Sequence, residues 1–376
     1  MSEPRIFTTG PTALHPLVRR EMPLALEEGL GSESHRSGRF RAEVARTGEA
    51  LRALLGVPDD HRILFVSSAS EAMERIVEGV VDRRSFHFVS GAFARRMRTI
   101  AGALGRAPEG AERPDGEGFR MEEALEAVEG ALAGGSEPVD LVCLTQNETS
   151  TGVRIGPDTV HGVARRARQA GALTAVDLVS GWPTEEVDPA RIDAGFFSVQ
   201  KGFGLPAGLG VIIASPALLE RARERQGRGR SVGGYMHLPA LADAADRNQT
   251  VATPNALTIR LLGRVAENYL ARGVETLRRE AEAKRTLLME AVAASESLRP
   301  FVRDGGIRSR TILVLETDAT VDDGAPTAHL RERLLEHGFV TSDGYGSWKG
   351  RHLRIANFPV QSAPMAMALA RVLRTL

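Results

Sequence analysis

The stretch of sequence that decides the fold covers residues 196–210 and reads FFSVQKGFGLPAGLG. It starts as an apolar run, reaches Lys201, and continues into a turn that holds four glycines and a proline. Near-continuous apolarity is typical of a strand that is covered on both faces, as in a parallel sheet. Glycines in the turn let the backbone approach a ligand closely or adopt positive φ. The stretch therefore predicts a buried strand that brings a lysine to a ligand site. The alternative interpretation is a tight turn with a solvated lysine.

Similar apolar runs recur along the chain and alternate with segments of helical period. The predicted strands are residues 63–66, 86–89, 139–145, 172–178, 195–199 and 209–214. The predicted helices are residues 71–81, 121–132, 159–170 and 216–226. Alternation of strand and helix is typical of a doubly wound α/β sheet with mainly parallel strands.

The pattern changes near residue 256, where long charged helical sequence begins and extends to residue 294 without a strand candidate. Further predicted elements are a strand at residues 311–316, a helix at residues 328–337 and a final helix from Pro364. This order of elements favours a smaller α+β domain at the C-terminal end of the chain.

These patterns predict two domains. We expect a large α/β domain over residues 16–255 and a small α+β domain over residues 256–376, which also includes residues 1–15. Residues 107–118 are rich in Gly, Pro and Glu and are predicted to form a surface loop.

The composition excludes several classes of protein. The chain has 376 residues, 42% of them hydrophobic, which allows a large core and excludes a disordered chain. Basic and acidic residues balance at 48 each, so no overall field attracts nucleic acid or an acidic membrane surface. The one cysteine, Cys143, cannot form an internal disulfide, and no basic stretch leads into an apolar run at the N-terminus. No apolar segment approaches the roughly 20 residues needed to span a bilayer. We expect a cytoplasmic protein without a membrane partner.

The use of lysine is unusual. Only three of the 48 basic residues are lysines, Lys201, Lys284 and Lys349, and the other 45 are arginines. A guanidinium keeps its proton near neutral pH, whereas an amine can lose it and react with an aldehyde. A lysine in this chain therefore indicates a chemical role. Loss of solvation at a strand end lowers the pKa of such an amine and makes it nucleophilic.

Asp177 stands at the end of a strand that is predicted to be buried. A buried carboxylate needs a cationic partner, because an unpaired one is strongly destabilising. A protonated pyridine nitrogen would serve, and a capping aspartate at the start of a loop is the alternative. Because Lys201 and Asp177 follow successive strands of one sheet, the two together favour a cofactor site.

The segment from Ser67 to Glu71 ends one predicted strand and begins a helix. Ser68 and Glu71 have the spacing of a capping box. Small residues at a helix N-terminus also expose free backbone N–H groups that can bind a phosphate. The two roles are compatible.

Taken together, these motifs resemble the class V branch of the fold-type-I aminotransferases that depend on pyridoxal 5′-phosphate (PLP). The motifs are Ser68-Ala69-Ser70-Glu71, Asn147-Glu148-Thr149, Asp177 and Ser198-Val199-Gln200-Lys201. The resemblance runs nearly from end to end and implies a large domain with a mainly parallel, seven-stranded sheet and a smaller C-terminal domain. Within the branch, Thr9-Gly10-Pro11 and Ser34-His35-Arg36-Ser37 with Phe40 are similar to phosphoserine aminotransferases.

The resemblance implies a role for each matching cofactor residue. Lys201 would bind the PLP aldehyde covalently, and Asp177 would pair with the pyridine nitrogen. Thr149 would donate a hydrogen bond to the phenolic oxygen of the ring, and Phe93 would stack on the ring. The residues implied for the phosphate are Ala69, Ser70, Gln200 and, from a partner subunit, Thr253, and Ser68 is also expected to bind the cofactor. The family pattern has Asn-Thr where this chain has Ala252-Thr253, so one phosphate contact is missing. No metal site is implied.

The resemblance also implies the substrate groups. Arg354 would bind the α-carboxylate through its two-pronged guanidinium. His35 and Arg36 would receive the distal phosphate of phosphoserine or the side-chain carboxylate of glutamate, and Thr9 would contact the substrate. Shared active sites in a homodimer are expected. The implied reaction transfers an amino group between glutamate and 3-phosphohydroxypyruvate, in serine biosynthesis.

Other interpretations stay open at this point. Gly202-Phe203-Gly204 and Ile355-Ala356-Asn357 do not match phosphoserine aminotransferases closely, so an alanine:glyoxylate or serine:pyruvate aminotransferase is the main alternative. A cysteine desulfurase is disfavoured, because the only cysteine lies in the apolar run at residues 142–144.

A nucleic-acid-binding protein could use the five arginines between Arg221 and Arg230 as a positive patch. That patch contains no aromatic residue, and the chain has no net charge. We therefore expect no nucleic-acid partner. A dinucleotide-dependent dehydrogenase is also disfavoured, since Gly-x-Gly-x-x-Gly spacing is missing from the glycine-rich segments.

Overall fold

The computed structural model describes residues 4–317 and 326–376 of the chain. Its strands are β1 (Arg5–Phe7), β2 (Arg62–Val66), β3 (Arg84–Val89), β4 (Ala107–Glu112), β5 (Val139–Thr145), β6 (Asn147–Glu148), β7 (Val153–Arg154), β8 (Leu173–Asp177), β9 (Ala194–Ser198), β10 (Gly210–Ala214), β11 (Leu298–Pro300), β12 (Ile312–Thr317), β13 (Phe339–Asp343) and β14 (His352–Ala356). Its α-helices are α1 (Pro16–Glu27), α2 (Gly38–Leu55), α3 (Ala69–Val80), α4 (Ala92–Ala103), α5 (Met121–Ala133), α6 (Pro157–Gln169), α7 (Pro216–Gly227), α8 (Leu238–Ala245), α9 (Ala256–Arg272), α10 (Val274–Ala293), α11 (Pro326–Glu336) and α12 (Ala363–Leu373).

The larger sheet confirms the predicted α/β fold. Over the described residues its seven strands lie in the order β2-β10-β9-β8-β5-β3-β4. The neighbours from β9 to β4 pair in parallel, and β10 runs antiparallel to both β2 and β9. Every residue of β8, β9 and β10 is buried, which explains why their sequences are almost continuously apolar.

Helices cover both faces of this sheet. Side chains of α2, α5, α6 and α9 form one apolar cluster with alternate strand residues such as Val142, Leu144 and Val176. Side chains of α3, α4, α7 and α8 form a second cluster with the intervening residues, such as Leu141 and Cys143. The alternation along β5 places the two clusters on opposite faces of the sheet.

The smaller sheet joins the two ends of the chain. Its strands lie in the order β1-β13-β14-β12-β11, and only β1 pairs in parallel, with β13. Phe7 from β1 is buried in one apolar cluster with Leu313, Leu353 and Leu369. The helical sequence predicted from residue 256 to 294 forms two helices, because Gly273 adopts positive φ (83°) between α9 and α10. The proposed division of the chain at residue 256 stays a prediction.

The loop prediction for residues 107–118 is wrong at its N-terminal end. Residues Ala107–Glu112 form β4, the edge strand that pairs in parallel with β3. Most side chains of β4 are exposed, so the strand carries no apolar run that could identify it. Its backbone is ordered by hydrogen bonds to β3, which lies more than 15 residues earlier in the chain.

Helix α9 crosses α2 at a glycine, and this crossing generates a stability prediction. A Cβ on Gly263 would lie 2.6 Å from Thr47 Oγ1 and 3.2 Å from Thr47 Cα. We expect Gly263→Ala to lower the free energy of unfolding by about 1–3 kcal/mol, since the helices must move apart. The matched control is Gly130→Ala in α5, where a Cβ meets no atom within 4 Å. That change should raise stability by about 0.5–1 kcal/mol, because alanine favours a helix. Urea unfolding of both variants measures the difference, and equal stabilisation by the two would contradict the close packing.

Candidate active site

The carboxyl ends of the parallel strands bring the predicted catalytic residues together. Asp177 is the last residue of β8 and pairs in register with Phe196 of the adjacent strand β9. Lys201 follows the end of β9, and Thr149 follows β5 and the short strand β6. Ligands of open α/β sheets bind at this edge. Residues separated by more than 50 positions therefore face one site.

Lys201 is buried at this edge, with 6% of its surface exposed. Its Nζ donates a hydrogen bond to Thr149 Oγ1 at 2.7 Å and lies 5.1 Å from the centroid of the Phe93 ring. Burial lowers the pKa of Lys201 to about 8, although the carboxylate of Asp177 acts in the opposite direction. The amine is therefore much closer to its reactive neutral form at physiological pH than an ordinary lysine.

Asp177 shares this buried environment. Its Oδ1 accepts a hydrogen bond from the N–H of Val179 at 2.9 Å. Burial raises the pKa of Asp177 to about 7, against the effects of that N–H group and of Lys201. A cationic partner inside the cavity would stabilise the ionised form of this buried carboxyl group.

The N-terminus of α3 forms the third part of the site. Ser68 caps the helix, and its Oγ accepts a hydrogen bond from the N–H of Glu71 at 3.1 Å. The N–H of Ala69 donates to Ser198 Oγ at 2.9 Å. A phosphate contact at Ala69, as expected from the sequence, has to compete with this hydrogen bond.

The backbone of Phe93 is positioned by a buried glutamate side chain. Glu148, which is fully buried, accepts hydrogen bonds from the N–H groups of Phe93 and Ala94 at 3.1 and 3.0 Å. A negative charge is stabilised at the N-terminus of a helix such as α4. Gly91 permits the approach, because a Cβ there would lie 2.5 Å from Glu148 Cγ.

A cavity of about 200 Å³ lies between these groups. The predicted cofactor residues that line it are Ser68, Ala69, Ser70, Phe93, Thr149, Asp177, Gln200 and Lys201. Other residues of the lining were not predicted to bind the cofactor, and they are Gly10, Pro11, Met73, Arg96, Asn147, Val179 and Ser198. Arg96 could have been found from its helical spacing, three residues after Phe93.

Two predicted substrate residues lie beside the cavity but not in its lining. Arg354 is buried in β14 and donates from Nε to the carbonyl of Asp343 at 2.7 Å and from Nη1 to the carbonyl of Thr149 at 3.2 Å. Thr9 donates from its N–H to Ser342 Oγ at 2.9 Å. Both residues are therefore attached to the smaller sheet.

The remaining predicted residues lie apart from their own chain's cavity lining. His35 Nδ1 and Thr253 Oγ1 are 3.2 Å apart, and Arg36 next to His35 is exposed. The Nε2 atom of His35 is buried and has no hydrogen-bond partner among the described residues. One chain thus brings His35, Arg36 and Thr253 together, but not with Lys201.

Comparison with known proteins decides the family. A sequence model described as aminotransferase class-V matches residues 122–322. The chain belongs to the class-V aminotransferases. A crystal structure of a phosphoserine aminotransferase from Cytophaga hutchinsonii is 35% identical, has a TM-score of 0.92, and is matched over 100% of this chain and 99% of that one.

Further relatives agree with this assignment. A phosphoserine aminotransferase of Rhodococcus opacus is 26% identical over 94% of this chain and 90% of its own length. The ureidoglycine-glyoxylate aminotransferase of Bacillus subtilis matches 100% of this chain and 93% of its own with a TM-score of 0.83. Its identity of 20% shows the shared fold alone.

The aminotransferase is a PLP-dependent transaminase that acts on amino acids and 2-oxo acids. The donor set of the cavity fits this cofactor. It combines an amine of lowered pKa, a buried carboxyl group, an aromatic ring and a capped helix N-terminus. These are the groups that an aldehyde, a pyridine nitrogen, a flat ring and a phosphate require.

Other features bear on the alternative functions. Among the arginines of residues 221–230, Arg223, Arg225 and Arg228 form ion pairs with carboxylates, and Arg225 is 1% exposed. This pairing reduces the positive field that a nucleic acid would need.

Cys143 is buried, which raises the pKa of its thiol. Over residues 4–317 and 326–376, no helix combines the length and apolarity needed to cross a membrane.

The lowered pKa of Lys201 predicts how its amine reacts. Because only the neutral amine attacks an aldehyde, reductive methylation of cofactor-free protein should rise with pH with a midpoint at about 8. In Asp177→Asn the midpoint should fall, since the carboxylate raises the pKa of Lys201. Mass spectrometry of the peptide that contains Lys201 measures the rate.

Lys284 provides an internal comparison, because its buried amine already donates to the carbonyls of Phe358 and Gln361 at 2.8 and 2.6 Å. Its methylation should be slower than that of Lys201. A midpoint for Lys201 near the ordinary value of about 10.4 would contradict the effect of burial.

Proposed function

We propose that this aminotransferase converts 3-phosphohydroxypyruvate and glutamate into phosphoserine and 2-oxoglutarate, in serine biosynthesis. The observation that carries the proposal is the presence of two separate cationic groups. Arg354 lies next to Thr149 at the cavity, and the His35-Arg36 segment lies next to Thr253. Two such groups suit substrates that are anionic at both ends, as phosphoserine and glutamate are. The names of the Cytophaga hutchinsonii and Rhodococcus opacus relatives agree with this proposal.

Arg354 is the proposed receptor of the α-carboxylate. Its two backbone acceptors, Asp343 and Thr149, hold the guanidinium at the mouth of the cavity. Burial lowers the pKa of Arg354 to about 10, so the group keeps its positive charge at neutral pH. A preorganised guanidinium binds a carboxylate through two parallel hydrogen bonds.

His35, Arg36 and Thr253 are the proposed contribution of one subunit to the site of another. Their absence from the lining of their own chain's cavity supports a homodimer with shared sites. The exposed side chain of Leu26 lies near Gly31, four residues before His35, and adds apolar surface for a subunit contact. In such a dimer, His35 and Arg36 bind the distal anion and Thr253 contacts the cofactor phosphate.

The chemistry follows from the positions of these groups. Bound PLP supplies a ring that withdraws electron density from the substrate Cα. Asp177 keeps a proton on the pyridine nitrogen, and the hydroxyl of Thr149 orients the amine of Lys201. With the cofactor bound, the neutral Lys201 Nζ would accept the proton that leaves the substrate Cα. Amino acid and oxo acid occupy the site in turn, so ping-pong kinetics are expected.

The half-reaction with different amino acids tests the substrate. We expect phosphoserine to convert the cofactor to its amine form much faster than alanine does. Arg36→Gln should slow the phosphoserine reaction by about 10- to 100-fold, through loss of a charge-assisted hydrogen bond, and leave the alanine reaction unchanged. Stopped-flow absorbance of the cofactor measures both rates. The control is Arg39→Gln, since Arg39 is paired with Glu28. If alanine reacts faster, the enzyme is an alanine:glyoxylate or serine:pyruvate type.

Coexpression of the inactive Lys201→Ala variant with Arg36→Ala, which is expected to lose most of its phosphoserine activity, tests the shared site. In a mixed dimer of Lys201→Ala and Arg36→Ala subunits, one of the two sites receives an intact Lys201 and an intact Arg36. Random pairing should therefore restore about a quarter of the wild-type phosphoserine activity. Coexpression of Lys201→Ala with the Lys201→Ala/Arg36→Ala double variant is the control and should restore none. Absence of recovery in the first mixture would show that each chain builds its site alone.

A further inference from the structure

Arg96 is a cation of the cavity that the proposed function does not use. It lies in α4, one turn after Phe93, and lines the cavity. Its Cζ is 4.9 Å from the centroid of the Phe93 ring. Its Nη1 donates to Ser70 Oγ at 3.2 Å, and its Nη2 donates to the hydroxyl of Tyr345 at 2.7 Å. Both of these hydrogen-bond acceptors are neutral.

Arg96 differs from the neighbouring arginines of α4, which form ion pairs with carboxylates. The arginines next to it on α4 are paired, Arg95 with Glu112 and Asp115, and Arg98 with Glu112. Arg96 has no carboxylate partner among the ion pairs of the described residues. Its charge acts on the carboxylate of Asp177 only through space. Because its N–H donors meet only two neutral acceptors, the partly buried guanidinium can still pair with an anion that enters the site.

The position of Ser70 indicates which anion this is. Ser70 lies in the first turn of α3, where free N–H groups and the helix dipole favour a phosphate. We propose that Arg96 is a cofactor-binding residue that pairs with the phosphate group of PLP. The proposal goes beyond the proposed function, because it does not depend on which amino acid is the substrate.

Two features explain why this chain needs such a cation. The N–H of Ala69 is already engaged by Ser198, and residue 252 is alanine, whose side chain cannot donate a hydrogen bond. Ser70 and Gln200, which also line the cavity, are neutral. Arg96 supplies the full positive charge that a phosphate dianion requires.

Tyr345 determines the direction of the guanidinium. It stands in the loop between β13 and β14, and its ring centroid is 5.0 Å from that of Phe93. Its hydroxyl accepts a hydrogen bond from Arg96, so the Arg96 side chain is held by Ser70 of α3 on one side and by Tyr345 of the β13–β14 loop on the other. This arrangement keeps the guanidinium at the α3 end of the cavity.

Cofactor retention tests the proposal on the full-length holoenzyme. Arg96→Gln should weaken PLP binding at least tenfold, measured by fluorescence titration after removal and return of the cofactor. Arg96→Lys should lose less, because it keeps the charge without the two-pronged donation. The matched control, Arg95→Gln, removes a neighbouring guanidinium that is paired outside the cavity and should leave the affinity unchanged.

A second probe separates the phosphate from the ring. Pyridoxal, which lacks the phosphate, should bind the wild type and Arg96→Gln equally well. Inorganic phosphate should compete with PLP in the wild type and less in the variant.

Three results would overturn the proposal. The first is an equal loss of affinity for pyridoxal and PLP in Arg96→Gln. The second is a PLP affinity no lower than that of Arg95→Gln. The third is weaker phosphoserine binding with unchanged PLP affinity, which would assign Arg96 to the distal anion of the substrate. A failure of the phosphoserine half-reaction would leave the measurements with PLP, pyridoxal and inorganic phosphate interpretable. If Arg96→Gln does not fold, Arg96→Lys carries the same comparison.

Discussion

The parallel pairing of β8 with β9 is the constraint on which the active site depends. It places Asp177 and Lys201 at one buried edge, where water stabilises neither charge. Burial shifts the two pKa values toward each other, lowering that of the amine and raising that of the acid. The cavity between them is therefore suited to a ring that reacts with the amine of Lys201 and presents a protonated nitrogen to the carboxylate of Asp177. The hydroxyl of Thr149 completes this arrangement by accepting a hydrogen bond from the amine.

The two ends of the chain enclose this centre. A Cβ on Gly10 would lie 2.9 Å from Lys201 Cε, so the N-terminal segment passes directly over the amine. The N–H of Thr12 donates to the carbonyl of Gln200, and Gln361 Nε2 donates to Thr12 Oγ1. Lys284 in turn donates to the carbonyl of Gln361. This second lysine thus has a structural role, and a shortage of lysine does not by itself make every remaining lysine reactive.

Much of the fold and of the site could be predicted where local sequence carries the signal. The strand that ends before Lys201 and the helix that begins after Ser68 are marked by apolar runs and a capping serine, and both are present. The edge strand β4 was missed because its side chains are exposed and only its backbone is paired. Arg96 was missed as a site residue because its one local signal, the helical spacing from Phe93, is informative only once Phe93 is known to face the cavity. The sequence places Glu148 in the Asn147-Glu148-Thr149 motif, but its contact with the N-terminus of α4 depends on a segment more than 50 residues away.

By itself, the sequence determined the parallel α/β architecture and the positions of Lys201 and Asp177 at the ends of successive strands, because these follow from short apolar runs and from the ends of strands. Only the tertiary structure decided which side chains share a cavity. It separated His35, Arg36 and Thr253 from the Lys201 cavity of the same chain and brought Arg96 into that cavity. The physical reason is that burial and proximity arise when distant segments pack together, and no local period records that packing.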